Sequence, residues 1–129
     1  MKRALILTVA IVIASAANAE PGFKTIKTAK ATLTGAPAEL LETCIGEPAA
    51  VVAQEGQKIV AYSSVQERDA DGRTMPTPGA ADAPKACIFT FTIKDGVITV
   101  VDSKNRAGWG GGSITKCADL VKACTSKEK

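Results

Sequence analysis

The 129-residue chain has no histidine. A Ser-His-Asp or Cys-His arrangement therefore cannot be built from it. Zinc lacks a ligand set too: the four cysteines contain no C-x₂-C pair, and no imidazole completes a site. Nor does one sign of charge dominate. Without Lys2 and Arg3, which belong to the leader described below, fourteen basic residues face thirteen acidic ones. A net charge of +1 gives no electrostatic footprint for nucleic acid. After the N-terminal leader there is no further long apolar run, so the mature chain is expected to carry no transmembrane segment.

The leader itself is short. Lys2 and Arg3 form a basic n-region, Ala4 to Ala14 an apolar h-region, and Ala17-Asn18-Ala19 an A-x-A cleavage site. Residues 1–19 read as a signal peptide cut after Ala19, with an uncleaved anchor as the alternative. No cysteine lies near the cut, so this is not a lipoprotein signal. The expected location is the periplasm or the secreted medium. In such a compartment Cys44, Cys87, Cys117 and Cys124 read as two structural disulfides rather than thiolate nucleophiles.

The mature length fits one small domain. Its centre is Cys87 to Asp102, two β-branched and aromatic runs around Asp95-Gly96. That pair between alternating apolar runs is the strongest short-range hairpin signal. Strict alternation predicts Lys94 opposite Val97, Ile93 opposite Ile98, Thr92 opposite Thr99 and Phe91 opposite Val100. It further predicts Thr90 opposite Val101 and Phe89 opposite Asp102. Cys87, Phe89, Phe91, Ile93, Ile98 and Val100 then share the buried face, and the threonines face water.

Around this hairpin the other elements follow from local chemistry. Residues 20–35, with Lys24, Lys27 and Lys30, read as a flexible arm; contact with anionic lipid or a partner is the alternative. The single domain is 36–129. Pro37 to Ile45 reads as a helix with Leu40, Leu41 and Cys44 on one face, stopped by Gly46 and Pro48. Ala49 to Ala53 and Lys58 to Val65 are strand candidates. Glu67 to Lys85 reads as a long exposed loop. Its Asp69, Asp71 and Gly72 imitate an EF-hand start, but Pro78 stands where the bidentate glutamate belongs, so calcium is rejected. Thr115 to Cys124 reads as a helix with Cys117, Leu120, Val121 and Cys124 in one stripe.

Seven residues of helix separate Cys117 from Cys124 by about 10.5 Å, beyond the ~7 Å reach of a disulfide. The bridges are therefore expected to run from the last helix, one to Cys44 and one to Cys87, in either combination. The rival, Cys44–Cys87 with Cys117–Cys124, requires that segment to be a loop.

Candidate chemistry is sparse. Ser113-Ile114-Thr115-Lys116 matches S-x-x-K, but the accompanying S-D-N and K-T-G elements are absent. The glycine run around Trp109 is not followed by Gly-Lys-Ser/Thr, so it is no P-loop. Trp109 reads either as a partner contact or as a lid folded onto the sheet edge. With Thr90, Thr92 and Thr99 on the open sheet face, it is the candidate contact set. No cofactor is expected, and the chain reads as a non-enzyme.

Leu40-Leu41, Gly46-x-Pro48, Tyr62 and Asp95-Gly96, in that order, resemble the SmpA/OmlA, BamE-like small envelope proteins. The resemblance covers about Pro37 to Asp102. It implies a sheet with helices on one face, an envelope location and a scaffolding role in outer-membrane assembly. The chain departs from that pattern in lacking a lipid-attachment cysteine. It shows one obvious helix before the sheet where the family has two, and it adds a C-terminal helix with two cysteines. The layout is also similar to secreted inhibitors of β-lactamase, which bind through an open sheet face.

The expected fold is α+β: an antiparallel sheet of three or four strands, helices on its apolar face, stapled by disulfides. The expected role is structural or protein-interacting, with another envelope or secreted protein as partner. The alternative is a secreted inhibitor or ligand-binding module. A homodimer through edge-strand pairing stays open.

Overall fold

A computed structural model of the chain describes residues 21–105 and 112–125. Four strands, β1 (Ala50–Gln54), β2 (Gln57–Ser63), β3 (Cys87–Lys94) and β4 (Val97–Asn105), form one antiparallel sheet in chain order. Helices α1 (Pro21–Leu33) and α2 (Glu39–Cys44) precede the sheet, and α3 (Gly112–Val121) follows it. The fold is the expected α+β arrangement.

Asp95 (φ +54°) and Gly96 (φ +80°) both adopt the left-handed geometry that a type I′ turn requires. The pairs Lys94–Val97 and Ile93–Ile98 follow as expected. There the strict register ends. A bulge between Thr92 and Ile93 sets Thr92 opposite Val100, Phe91 opposite Val101, Thr90 opposite Asp102 and Phe89 opposite Ser103. Two residues of β4 now oppose one of β3, so its inward set changes. Val101 packs against the core, while Val100 is 51% exposed on the other face. The expected inward position of Val100 is thus corrected.

The core lies between the sheet and the helices. Tyr62, Phe89 and Phe91 are fully buried. Tyr62 meets Phe91 edge-on at 5.7 Å, and Phe89 stacks on Phe91 at 5.9 Å. Aromatic pairs at such separations add roughly 1 kcal/mol each beyond their buried area.

From Pro21 on, the segment expected as a loose arm over 20–35 is ordered. Pro21–Leu33 is helical, with Ile26, Ala29 and Leu33 buried on one face and Lys24 and Lys27 outside. Leu33 is fully buried, and truncating such a residue to alanine typically costs about 2–5 kcal/mol. Packing, not propensity, holds this helix.

The next helix is shorter than its apolar spacing suggests, because Pro37 is used elsewhere. Pro37 bridges to Val97. Around it, Gly35 N–H donates to Ile98 O (2.7 Å), Ile98 N–H to Ala36 O (2.9 Å) and Ala38 N–H to Gly96 O (2.8 Å). This strap covers the outer edge of β4 near the turn. Helix α2 then carries Leu41 inward and ends at Ile45. Gly46 follows at φ +132°, against the backbone of Thr74. A Cβ there would lie 2.6 Å from Thr74 O and 2.7 Å from its Oγ1, so only glycine fits.

The long loop is more ordered and more buried than its composition suggests. Thr74 N–H donates to Ile45 O (2.8 Å), and Thr74 O accepts from Glu47 N–H (3.0 Å). Gln66 is buried and fully used. Its Oε1 accepts from Ser63 N–H (2.8 Å), and its Nε2 donates to Glu47 O and Met75 O (2.9 Å each). Ala80–Asp82 is one 3₁₀ turn. The Asp69 carboxylate accepts the N–H groups of Asp71 (2.9 Å) and Arg73 (3.0 Å), which closes a local turn.

Cys44 pairs with Cys124 and Cys87 with Cys117, at Cα separations of 5.1 and 5.2 Å. Both bridges run from the C-terminal segment, which excludes the Cys44–Cys87 pairing. The helical stripe is as expected: Cys117, Leu120, Val121 and Cys124 are all buried. The last turn, Lys122–Cys124, tightens to 3₁₀.

Candidate functional site

Two surfaces are built by the sheet. The first is its outer face, opposite the helices. Each strand contributes one residue to a transverse row, and the register aligns Val52, Ile59, Thr92 and Val100 across all four strands. Val52 and Val100 are 52% and 51% exposed at the ends of this row, and Ile59 and Thr92 are half-buried between them. The neighbouring row is Ala50, Ala61, Thr90 and Asp102. The centre of the face is therefore small or β-branched and uncharged. Toward the Cys87 end, Ile88 and Ser63 are buried, beside the Ala80–Asp82 turn.

The threonine candidates separate here. Thr90 and Thr92 are half-buried on the outer face. Thr99 is exposed at the bulge, and its hydroxyl donates to Thr92 O at 3.3 Å. Trp109 lies outside the described residues, as does the leader. Sequence reasoning missed Val52 and Val100. The bulge hides Val100, because strict alternation assigns it to the core.

The second surface is a groove of about 530 Å³ on the helix side, where β1 and β2 run out from under the helices. Its apolar lining is Leu41, Val51, Val60, Tyr62 and Ile93. Glu39, Glu42 and Glu47 also line it, against the single cation Lys58. All four charged residues are exposed. The Tyr62 hydroxyl donates to Gly46 O at 2.9 Å. Its ionisation is pushed far above the ordinary value of 10, first by burial and then by the Glu42 and Glu47 carboxylates. Leu41, Pro48, Tyr62 and Gly96, drawn from the motifs that carry the family resemblance, all line this groove.

The four cysteines are spent in bridges, so the described residues hold no free thiol. Two disulfides point to an oxidising, extracytoplasmic setting. Among the described residues no helix is long and apolar enough to cross a membrane. No family model, curated protein or solved structure matches the chain.

Proposed function

We propose that the chain is a non-enzymatic exported protein of the cell envelope with a structural or protein-interaction role. The observation that carries this reading is the outer sheet face. An uncharged row, Val52–Ile59–Thr92–Val100, crosses all four strands with its two end valines about half exposed. An uncharged sheet face with exposed valines suits a macromolecular contact. Export through a signal peptide cut after Ala19 agrees with the paired cysteines, and the periplasm is the compartment we favour. The BamE-like resemblance adds a scaffolding role in outer-membrane assembly. It is supported by Leu40-Leu41, Gly46-x-Pro48, Tyr62 and Asp95-Gly96, and by two helices ahead of the sheet.

The second reading is a secreted inhibitor or ligand-binding module that uses the same face together with the Trp109 loop. The two readings differ in what is bound. A photo-crosslinking residue placed at Val52 or Thr92 in cells should trap outer-membrane assembly proteins under the first. Capture of one soluble hydrolase, inhibited on mixing, supports the second. Adducts no more abundant than from a control position at Lys24 would overturn both.

A further inference from the structure

The two edges of the sheet are treated differently. At β4 the strap Gly35–Ala38 bonds to Gly96 and Ile98, a bulge follows, and the exposed charges of Asp102 and Lys104 come next. Each is a device that keeps another strand away. β1 has none of them. Its sequence is Ala50-Val51-Val52-Ala53-Gln54, without charge or proline, and among the described residues no strand lies beyond it. Four of its five residues are exposed. The turn at Glu55-Gly56 pairs Gln54 with Gln57, so alternate backbone groups of β1, those of Val51 and Ala53, point away from β2.

Val51 also belongs to the groove described above, beneath the same edge. A side chain entering there meets aliphatic and aromatic surface first and carboxylates next. Lysine and arginine have this construction, an apolar stem with a charged head.

We propose that the β1 edge and the adjoining groove take up an extended segment of a partner protein. That segment joins the sheet as a fifth strand and lays a lysine or arginine side chain between Val51 and the carboxylates of Glu42 and Glu47. The assignment rests on the protein-interaction reading and names the chemistry of the partner. The Glu42 and Glu47 carboxylates that line the groove, and that add to burial in raising the Tyr62 ionisation, attract an incoming cation. A second copy of this chain fits less well. Pairing β1 with itself brings two acidic rims together, and five residues of edge bury less than the ~1,000 Å² of a stable interface.

The test uses the disulfide-bonded protein and two capped seven-residue peptides, one alternating Lys and Thr, the other Glu and Thr. Amide NMR titration should show the Lys-Thr peptide shifting Val51 and Ala53 and slowing their hydrogen exchange. The Glu-Thr peptide should leave them unmoved. Glu42 and Glu47 are exposed, so E42Q/E47Q should fold normally and bind about tenfold more weakly, a loss of about 1.4 kcal/mol. V51K sets a second ammonium in the groove and should weaken binding of the Lys-Thr peptide. Equal binding of both peptides, shifts confined to the outer face, or unchanged affinity in E42Q/E47Q would overturn the proposal. So would a self-associated dimer with β1 protected. The outer-face crosslinks at Val52 and Thr92 stand apart from these results, so failure here leaves the broader reading testable by itself.

Discussion

Replacing Cys44 and Cys124 together by alanine opens the outer of two nested bridges. The pair is 80 residues apart in sequence, and the Cys87–Cys117 bridge, spanning 30, lies inside it. With the inner bridge intact, the outer one closes an effective loop of about 50 residues. In the chain-entropy model its loss then costs about 4 kcal/mol, against about 3.6 kcal/mol for the inner bridge. Cys87 and Cys117 are both fully buried, so alanine there adds roughly 1 kcal/mol for the voids left behind. Urea unfolding of the two double variants measures both losses. With a slope of about 1.5 kcal/mol per M, opening the outer bridge should lower the midpoint by roughly 2.7 M. The slope itself should rise, because the unfolded chain expands once the tie is cut. A loss below about 1 kcal/mol with an unchanged slope would refute the idea that this bridge acts by confining the unfolded chain.

Tyr62 is the chain's single tyrosine, so phenolate absorbance reports it alone. Its folded pKa lies above the unfolded value of 10. The stabilisation is therefore complete below pH 10 and is lost as pH rises from there through the folded pKa. Phenolate should appear together with unfolding, and Tyr62→Phe should flatten the alkaline decline; titration of the native protein near pH 10 would contradict this. Gly46→Ala must hold φ +132° and displace Thr74, so thermal unfolding should show a loss of about 3 kcal/mol or more. Gln66→Leu keeps the volume but strands Ser63 N–H, while Glu47 O and Met75 O keep the hydroxyls of Thr74 and Thr77, so chemical denaturation should register a smaller loss, about 1–3 kcal/mol.

The turn at Asp95-Gly96 was legible because two consecutive left-handed residues have few sequence solutions. The bulge was not. In Val97-Ile98-Thr99-Val100-Val101, alternation from Ile98 selects Val100, and a valine in the next position lets the chain bulge at Thr99 and turn Val101 inward instead. The cysteine pairing was legible to the point where helix geometry forbids Cys117–Cys124. Choosing between Cys44 and Cys87 needed the tertiary positions of α2 and β3. Helix α1 was obscured by its own lysines. Ile26, Ala29 and Leu33 lie at i, i+3 and i+7, but a small alanine in the middle weakens the stripe against a louder charge repeat. The order of the 64–86 connection had no compositional signal. Gln66 and Thr74 are polar residues whose burial depends on carbonyls far away in sequence. For the same reason the groove could not be foreseen, although Leu41 and Tyr62 were both singled out.

The nesting of the bridges also decides what a protease can accomplish. Backbone cleavage anywhere from Ile45 to Ala123 leaves every fragment that carries a described strand covalently joined through at least one cystine, unless two cuts fall together. A single nick in the 64–86 connection therefore yields a two-chain molecule rather than a loss of mass. Helix α1 is outside that ring. One cut near Gly35 would leave it held by packing alone, through Ile26, Ala29 and Leu33. In a protease-rich compartment the durable body of this protein begins at the strap, and its first helix is the severable piece.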